Sequence, residues 1–263
     1  MSHPTAMHFR MPTLGLVALL AAAPSAAQKK KDPLKEAPPE VVVTLPLAVD
    51  PGKATKLTVR GVRVDTVTEV RLSEPKSSGR LLGKARKVPV PNQQSPAQVG
   101  DSEIDIEVTL PAEVPGGVVP FTLIGPGGES RPHELIVNDE TPRVAEKEPN
   151  DGFRDAQPIS VPAVVEGSVR QPQDVDVFRV GGKAGEKLAF EVQARRFGSP
   201  VDAMLTLYDA DGRIVATAEA AAGRDPLLNV TLPRDGAYFL AIIDAHDQGG
   251  PIWLYRLLVR RDG

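Results

Sequence analysis

Short runs of alternating apolar and polar residues dominate the chain from residue 41 onward. In the run "IDIEVTL", Ile104, Ile106 and Val108 alternate with acidic residues, so one face would enter a core and the other would meet water. Roughly seven such runs fall within residues 40–138, separated by turn-forming stretches such as Pro115-Gly116-Gly117. This spacing is typical of an immunoglobulin-like (Ig-like) β-sandwich.

A second series of about eight runs fills residues 148–263, after a predicted linker at residues 139–147. It includes "DVDVFRV", "KLAFEVQAR" and "AYFLAIID", and it predicts a second, jelly-roll-like sandwich. In the last run, Arg256 and Arg260 oppose the apolar face, which predicts partial exposure at a sheet edge. The fold class predicted is therefore all-β, with two β-sandwich domains in tandem.

The N-terminal residues differ in pattern from the rest. His8 to Arg10 precede an apolar run from Leu14 to Ala23, and Ser25-Ala26-Ala27 follows as a small-residue cleavage site. Residues 1–27 are therefore predicted to be a secretory signal peptide, cleaved after Ala27, which places the protein outside the cell or in the periplasm. Residues 28–39, rich in Lys and Pro, are predicted to be a disordered leader.

The composition of the chain argues against several structural and functional classes. The chain has 263 residues and no cysteine, so disulfides cannot stabilise it. Its 31 basic and 34 acidic residues are nearly balanced, which gives no support to nucleic-acid binding. No segment after the signal peptide approaches the roughly 20 apolar residues of a transmembrane helix.

Several motifs in the second series follow a fixed order: "EKEPNDGFRDAQPI", "VEGSVRQPQDVDVFRV", "DAMLTLYDADGRIVA" and "DGAYFLAIID". In this order they resemble the bacterial pre-peptidase C-terminal (PPC) domain across residues 146–260. The resemblance implies a β-sandwich found on secreted bacterial proteins, often behind a peptidase domain, although no peptidase domain precedes the module in this sequence. Residues 40–138, through "PGKATKLTVRG" and "GGVVPFTLIGPGGES", resemble Ig-like domains of the IPT/TIG type.

The segment that opens the second series is rich in oxygen-bearing side chains. In an extended chain, Glu146, Glu148 and Asn150 project to the same side, and gathering carboxylates is costly unless a cation joins them. The PPC resemblance implies that the "DVD" strand packs against this segment in calcium-binding members. The hypothesis is a calcium site whose hard oxygen ligands come from six residues: Glu146, Glu148, Asn150, Asp151, Asp174 and Asp176.

An alternative reading of the same segment needs no metal. Asp151 could cap a short helix over Phe153, Ala156 and Ile159, with Glu146 and Glu148 solvated in a linker. The sequence leaves both readings open.

Catalytic motifs are scarce. After the predicted cleavage site only His133 and His246 remain, each isolated, and neither a G-x-S-x-G motif nor a glycine-rich phosphate loop occurs. His246 is flanked by Asp244 and Asp247, a pattern that more often marks a polar loop than a catalytic pair. "DADG" at Asp209 begins like an EF-hand loop but lacks its later ligands, which predicts a hairpin turn.

The function predicted is a secreted, non-catalytic binding or accessory module of the cell envelope or extracellular space, with a calcium-stabilised PPC-like domain. Its predicted partner is a protein or polysaccharide of the cell surface or matrix. The alternative is a module that aids export, folding or substrate attachment for a secreted peptidase.

Overall fold

The structure is a computed structural model that describes residues 1–2, 37–92, 94–220 and 225–262. The predicted signal peptide and most of the leader fall outside these ranges, so both stay predictions.

The strands of residues 40–137 form two facing sheets. The elements are β1 (Glu40–Leu45), β2 (Ala48–Val49), β3 (Ala54–Val62), a 3₁₀ turn (Val64–Thr66), β4 (Glu69–Leu72), β5 (Ser78–Leu81), β6 (Arg86–Lys87), α1 (Pro96–Val99), β7 (Ser102–Thr109), β8 (Gly117–Gly125), β9 (Gly128–Glu129) and β10 (His133–Val137). One sheet has the order β1-β3-β7-β5 with β6 also on β7, and the other has the order β2-β10-β8-β4 with β9 on β8. All pairs are antiparallel except β2 with β10.

Residues 143–261 form two further sheets. Their elements are β11 (Arg143–Ala145), β12 (Gln157–Pro158), β13 (Ala163–Ser168), β14 (Asp176–Gly182), β15 (Lys187–Gln193), a 3₁₀ turn (Arg195–Phe197), β16 (Ala203–Asp209), β17 (Ile214–Glu219), β18 (Leu227–Thr231), β19 (Gly236–Asp244) and β20 (Leu254–Arg261). The sheet orders are β11-β13-β20-β15-β18 and β12-β14-β19-β16-β17. Strand β11 lies in the segment predicted as a linker and pairs in parallel with β13.

The alternating pattern determines which side chains enter the core. In β7, Ile104, Ile106 and Val108 are buried, whereas the acidic residues between them remain partly exposed. In β19, Tyr238 and Leu240 point inward from the middle of their sheet. The predicted fold class, all-β with β-sandwich architecture, is confirmed.

The two pairs of sheets are in direct contact. Val43, Leu47 and Ile136 from the first pair belong to the same buried apolar cluster as Phe197 and Trp253 from the second. The junction also contains an ion pair of 2.6 Å between Arg143 and Asp50. The burial of apolar surface across the junction favours one arrangement of the two sheet pairs.

Arg256 departs from the prediction made for it. Strand β20 lies between β13 and β15 rather than at an edge, and Arg256 is buried. Its Nη2 donates to Asn138 Oδ1 at 2.6 Å and its Nη1 to Gln193 Oε1 at 3.0 Å. The alternation that placed Arg256 on the outer face was correct, but Asn138, just after β10, covers that face. Arg260, on the same face, is half-buried and donates to Glu191.

Within the described ranges, no helix is both long enough and apolar enough to cross a membrane.

Candidate metal centre

The acidic segment that follows β11 is held against the neighbouring strands by its own carboxylates. The backbone N–H of Glu146 donates to Glu166 O at 2.9 Å, which continues the pairing with β13. The Glu146 carboxylate accepts bonds from Ser168 N at 2.9 Å and from the Tyr255 hydroxyl at 2.9 Å. These contacts fix the position of one carboxylate between β13 and β20.

Glu148 and Asn150 continue the segment toward β14. The N–H of Asn150 donates to Glu148 Oε2 at 3.0 Å, and Asn150 itself is fully buried. Its carbonyl accepts a bond of 2.9 Å from Val177 N, near the start of β14. Glu148 also lies 3.6 Å from the guanidinium of Arg170.

Asp176, the first residue of β14, completes the cluster. One carboxylate oxygen each from Glu146, Glu148 and Asp176 lies within 4.8 Å of the other two. Asp176 is fully buried, and neither of its carboxylate oxygens has a hydrogen-bond donor among the described residues. The buried Oδ1 of Asn150 also lacks a donor there. Together, Glu146, Glu148, Asn150 and Asp176 form the acidic cluster.

The other two predicted ligands are placed differently. Asp174 is buried, and its Oδ2 accepts the N–H of Arg170 at 2.5 Å, so it closes the turn before β14 beside the cluster. Asp151 is exposed and is not one of the grouped carboxylates. The structure thus brings four of the six predicted residues together, sets Asp174 next to them and leaves Asp151 outside.

The alternative reading, a capped helix after Asp151, is wrong. Residues 151–155 form bends and a turn, and the strand β12 follows. Phe153 stacks on Phe239 with ring centres 4.6 Å apart.

Tyr255 is a member of the site that the prediction missed. Its ring crosses the backbone of Gly167, where an added Cβ would lie 2.5 Å from the ring and hydroxyl. This close approach lets the buried hydroxyl reach Glu146, and only glycine leaves room for it. An isolated glycine inside the run "VVEGSV" was the available signal, because glycine in a strand often marks such an approach.

Burial and crowding of like charges raise the proton affinity of the cluster. Burial, reinforced by the nearby Glu146 and Asp174 carboxylates, raises the pKa of Asp176 to about 10. Burial and the charge of Glu146 also raise the pKa of Glu148. The pKa of the Tyr255 hydroxyl is raised well above its usual value, first by burial and then by the charge of Asp176. At neutral pH the metal-free cluster therefore holds a proton on Asp176.

The donor set fits a hard divalent cation. Calcium takes 6–8 oxygen ligands at about 2.3–2.6 Å, so two oxygens bound to one ion lie no more than about 5 Å apart. The 4.8 Å limit on the carboxylate separations meets that condition. The unpaired oxygens of Asp176 and Asn150 would gain a partner, since a buried acceptor without one is costly.

The remaining motifs have structural roles. Asp209 closes the turn between β16 and β17, because its Oδ1 accepts from Asp211 N at 2.9 Å and Arg213 N at 3.0 Å. The prediction of a hairpin turn is confirmed there. His246 is exposed, with Nδ1 3.5 Å from Asp202, and the nearby Ser199 Oγ bonds to backbone groups. In the described part of the chain, no serine hydroxyl is hydrogen-bonded to a histidine ring nitrogen.

The fold and the cluster define a class: a β-sandwich protein with a partly buried group of carboxylates where the second pair of sheets begins. No family model matches the chain. Among curated proteins, the chain is similar to a probable subtilase-type serine protease of Deinococcus radiodurans, with 40% identity over 98 residues. Those residues are 36% of this chain but only 14% of the relative, so the chain matches a small part of that protein.

Two solved structures are also similar. The pre-peptidase C-terminal domain of a collagenase from Bacillus anthracis shares 17% identity with a TM-score of 0.34, covering 44% of this chain and 100% of that one. The secreted serine protease VesC of Vibrio cholerae shares 12% identity with a TM-score of 0.30, covering 82% of this chain and 48% of that one. The resemblance to PPC domains that the motifs indicated is confirmed. The IPT/TIG resemblance of residues 40–138 stays a prediction.

Proposed function

We propose that the protein is a secreted, non-catalytic binding or accessory module in which calcium stabilises the second sandwich. The observation that carries the calcium proposal is Asp176, whose two buried carboxylate oxygens face Glu146 and Glu148 without a hydrogen-bond donor among the described residues. Glu146, Glu148, Asn150 and Asp176 would hold the ion, and water would fill the remaining positions. The ion would supply the positive charge that the cluster lacks.

The stabilisation follows from where the ligands lie. Glu146 belongs to the segment after β11, whereas Asp176 begins β14, in the opposite sheet. An ion bound to both would join the two sheets at the start of the sandwich and fix the segment that arrives from the first pair of sheets. Calcium would act as a structural clasp, because it binds the folded arrangement and not the unfolded chain.

Thermal unfolding of the purified protein with calcium and with chelator tests this proposal. Calcium at about 100 times its dissociation constant should add roughly 2.7 kcal/mol to the free energy of unfolding, or about 5–10 °C to Tm. Magnesium at the same concentration should add less, because it demands a tighter octahedral geometry. Equal Tm values with calcium and chelator would show that the cluster holds no calcium.

The relation to a subtilase-type protease favours a second candidate function. In that case the chain assists the export, folding or substrate attachment of a secreted peptidase. The test is to recover the tagged chain from culture fluid of its source and treat the recovered material with a fluorophosphonate probe for serine hydrolases. The role is supported if a probe-labelled polypeptide co-purifies with the wild-type chain and no longer does so with variants that carry substitutions on the chain's surface. A preparation that contains no labelled polypeptide counts against it.

A further inference from the structure

Strand β19 is apolar on both of its faces. The side chains that enter the core of the second sandwich are Tyr238, Leu240 and Ile242, and those on the outer face include Phe239, Ala241 and Ile243. An antiparallel sheet with one face in water normally alternates apolar and polar residues. Strand β7 of the first sandwich does so, because the residues between its core positions are acidic. The pattern of β19 is typical of a strand that is covered on both sides.

The described part of the chain covers this outer face only at one end. Phe153, in the turn before β12, stacks on Phe239 with ring centres 4.6 Å apart and lies 5.2 Å from the ring of Tyr208 on β16. Ile214 of β17 pairs with Tyr208 and is on the same face. Phe153 and Ile214 remain 40% and 62% exposed, and they are two of the three large apolar side chains that the described part of the second sandwich exposes.

The outer apolar face is the outward side of β14, β19, β16 and β17 together with Phe153. Its outward residues on β19 and β16 are half-buried, so water still reaches them. Apolar side chains that are contiguous across several strands and open to solvent mark an interaction surface.

This face carries one charge of each sign. Arg179 on β14 and Glu219 on β17 are the only charged residues that point outward from these four strands, and both are exposed. Neither forms an ion pair with another described residue. Arg179 pairs with Phe239 on β19, whereas Glu219 pairs with Met204, which in turn pairs with Ile243, four residues farther along β19. The two charges are therefore at opposite corners, about 20 Å apart for three strand spacings and four residues.

We propose that a second copy of this chain covers the outer apolar face, so that the protein forms a symmetric dimer. In a two-fold dimer the same patch of both copies meets, and the patch must complement itself. A two-fold axis that lies between the two faces, perpendicular to the line from Arg179 to Glu219, sets Arg179 of each copy opposite Glu219 of the other. The face is nearly square, about 14 Å along each side, so this axis passes close to the corner at Ile214 and brings the two exposed Ile214 side chains together.

The size of the face sets the strength of the dimer. With its side chains the face measures about 20 Å by 20 Å, or roughly 400 Å² per copy, which is about half of the area that a standard interface buries on each partner. The dimer is therefore weak and reversible, with a dissociation constant on the order of 10–100 µM.

Sedimentation equilibrium of the purified protein tests the proposal over concentrations from about 10 µM to about 1 mM, a range that brackets this dissociation constant. The weight-average mass should rise with concentration from that of one chain toward that of two. The measurement is made in chelator, because no residue of the acidic cluster belongs to the outer apolar face. If calcium failed to stabilise the protein, the dimer would still be expected, so the two proposals fail separately.

Matched variants locate the interface. Ile214→Glu places a charge on the face near the axis and should weaken the dimer at least about tenfold. Leu227→Glu makes the same change at an exposed position on β18, the edge strand of the opposite sheet, and should leave the dimer unchanged. Both side chains are exposed, so neither change should affect folding, and thermal unfolding checks this.

Charge reversal tests the pairing between copies. Arg179→Glu alone and Glu219→Arg alone should each weaken the dimer about tenfold, because each sets like charges opposite one another. The protein with both changes has the charges exchanged and should dimerise like the wild type.

Three results would overturn the proposal. A wild-type mass of one chain at about 1 mM would do so, and this result is also expected if the face binds a different protein. Equal weakening by Ile214→Glu and Leu227→Glu would place the contact at the strand edges and not on the face. A double charge reversal that dimerises no better than the single changes would exclude the pairing of Arg179 with Glu219.

Discussion

Two groups of acidic residues in this protein behave in opposite ways. The outer face of the sheet β1-β3-β7-β5 carries a charge ladder made of Lys56, Arg80 and Arg86 opposite Glu103, Asp105 and Glu107. In the ladder Lys56 lies 2.8 Å from Asp105, Arg80 lies 2.7 Å from Glu107, and Arg86 lies 2.7 Å from Glu103. In the acidic cluster, by contrast, the carboxylates face one another and Asp176 has no cation beside it.

The pKa values record this difference. Hydrogen bonding from Lys56 lowers the pKa of Asp105, whereas burial raises the pKa of Asp176 to about 10. Asp105 therefore contributes stability above its unfolded pKa of 3.8, and that stability is lost as the pH falls below it. Asp176 has the opposite sign, because the metal-free folded protein keeps a proton on it that the unfolded chain gives up above about pH 3.8, so the free energy of unfolding falls as the pH rises. The proposed cation site therefore differs from the ladder in its lack of compensating charge and not in the number of its acidic residues.

The largest expected effect comes from Asp176→Asn. The amide resembles a protonated carboxyl, so the metal-free variant no longer has to keep a proton on Asp176. It should be more stable than the wild type at pH 7, by up to about 4 kcal/mol, since each unit between pKa 3.8 and pH 7 contributes roughly 1.4 kcal/mol. Calcium should no longer raise its Tm. Urea unfolding in chelator and in calcium measures both effects.

The stability of the metal-free variant and its calcium response test two different properties of Asp176. If Asp176→Asn destabilises the metal-free protein, the carboxylate is not an electrostatic burden and the contrast with the ladder fails. If the variant keeps the full calcium response, Asp176 is not a ligand.

A second expected effect is the release of a proton when calcium binds to the acidic cluster. Because burial raises the pKa of Asp176 to about 10, calcium must displace one proton from it at neutral pH. The calcium affinity should rise about tenfold per pH unit between pH 6 and pH 8, where a single proton competes with the ion. Calorimetry in two buffers of different ionisation enthalpy should give close to one proton released per calcium bound.

Asp176→Asn is the control, and calorimetry should show neither calcium binding nor proton release for this variant. A calcium affinity that does not change between pH 6 and pH 8 would mean that the wild-type cluster is already ionised, as the ladder is.

The sequence predicted most of the acidic cluster but not its surroundings. Glu146, Glu148 and Asn150 follow from the two-residue period of an extended segment, and Asp176 came from the PPC resemblance. Tyr255 could not be placed, because its contact with Glu146 depends on β13 and β20 being neighbours, with Gly167 directly opposite Tyr255. Strand order of this kind is set by long-range packing and does not appear in local alternation.

The burial of Arg256 also depends on long-range packing that the local sequence does not show. The alternation of β20 gives its face correctly, but whether that face meets water depends on the neighbouring pair of sheets. Because Asn138 lies over it, a residue that reads as exposed is buried. Only the acidic half of the ladder follows from the sequence, since its residues alternate with core residues along a single strand, β7.

A smaller effect is expected in the ladder. Asp105→Asn removes a partner of Lys56 and Arg86 on a partly exposed surface, where ion pairs contribute at most about 1 kcal/mol. The loss should shrink at high salt and should leave the calcium response unchanged. Unfolding at low and high salt measures it. A loss several times larger, or one that calcium alters, would remove the distinction between the two acidic groups.

The smallest expected effect is at Asp151, which the sequence placed among the ligands. The structure exposes this side chain outside the grouped carboxylates, so Asp151→Asn should leave the calcium-induced rise in Tm unchanged. Glu148→Gln, two residues before Asn150 in the same segment, should remove most of that rise, because its carboxylate lies within 4.8 Å of the Glu146 and Asp176 oxygens. Both changes neutralise one acid and preserve size, so any difference between them reflects position alone. Equal losses in the two variants would mean that calcium senses the net charge of the segment and does not bind at a defined group of oxygens.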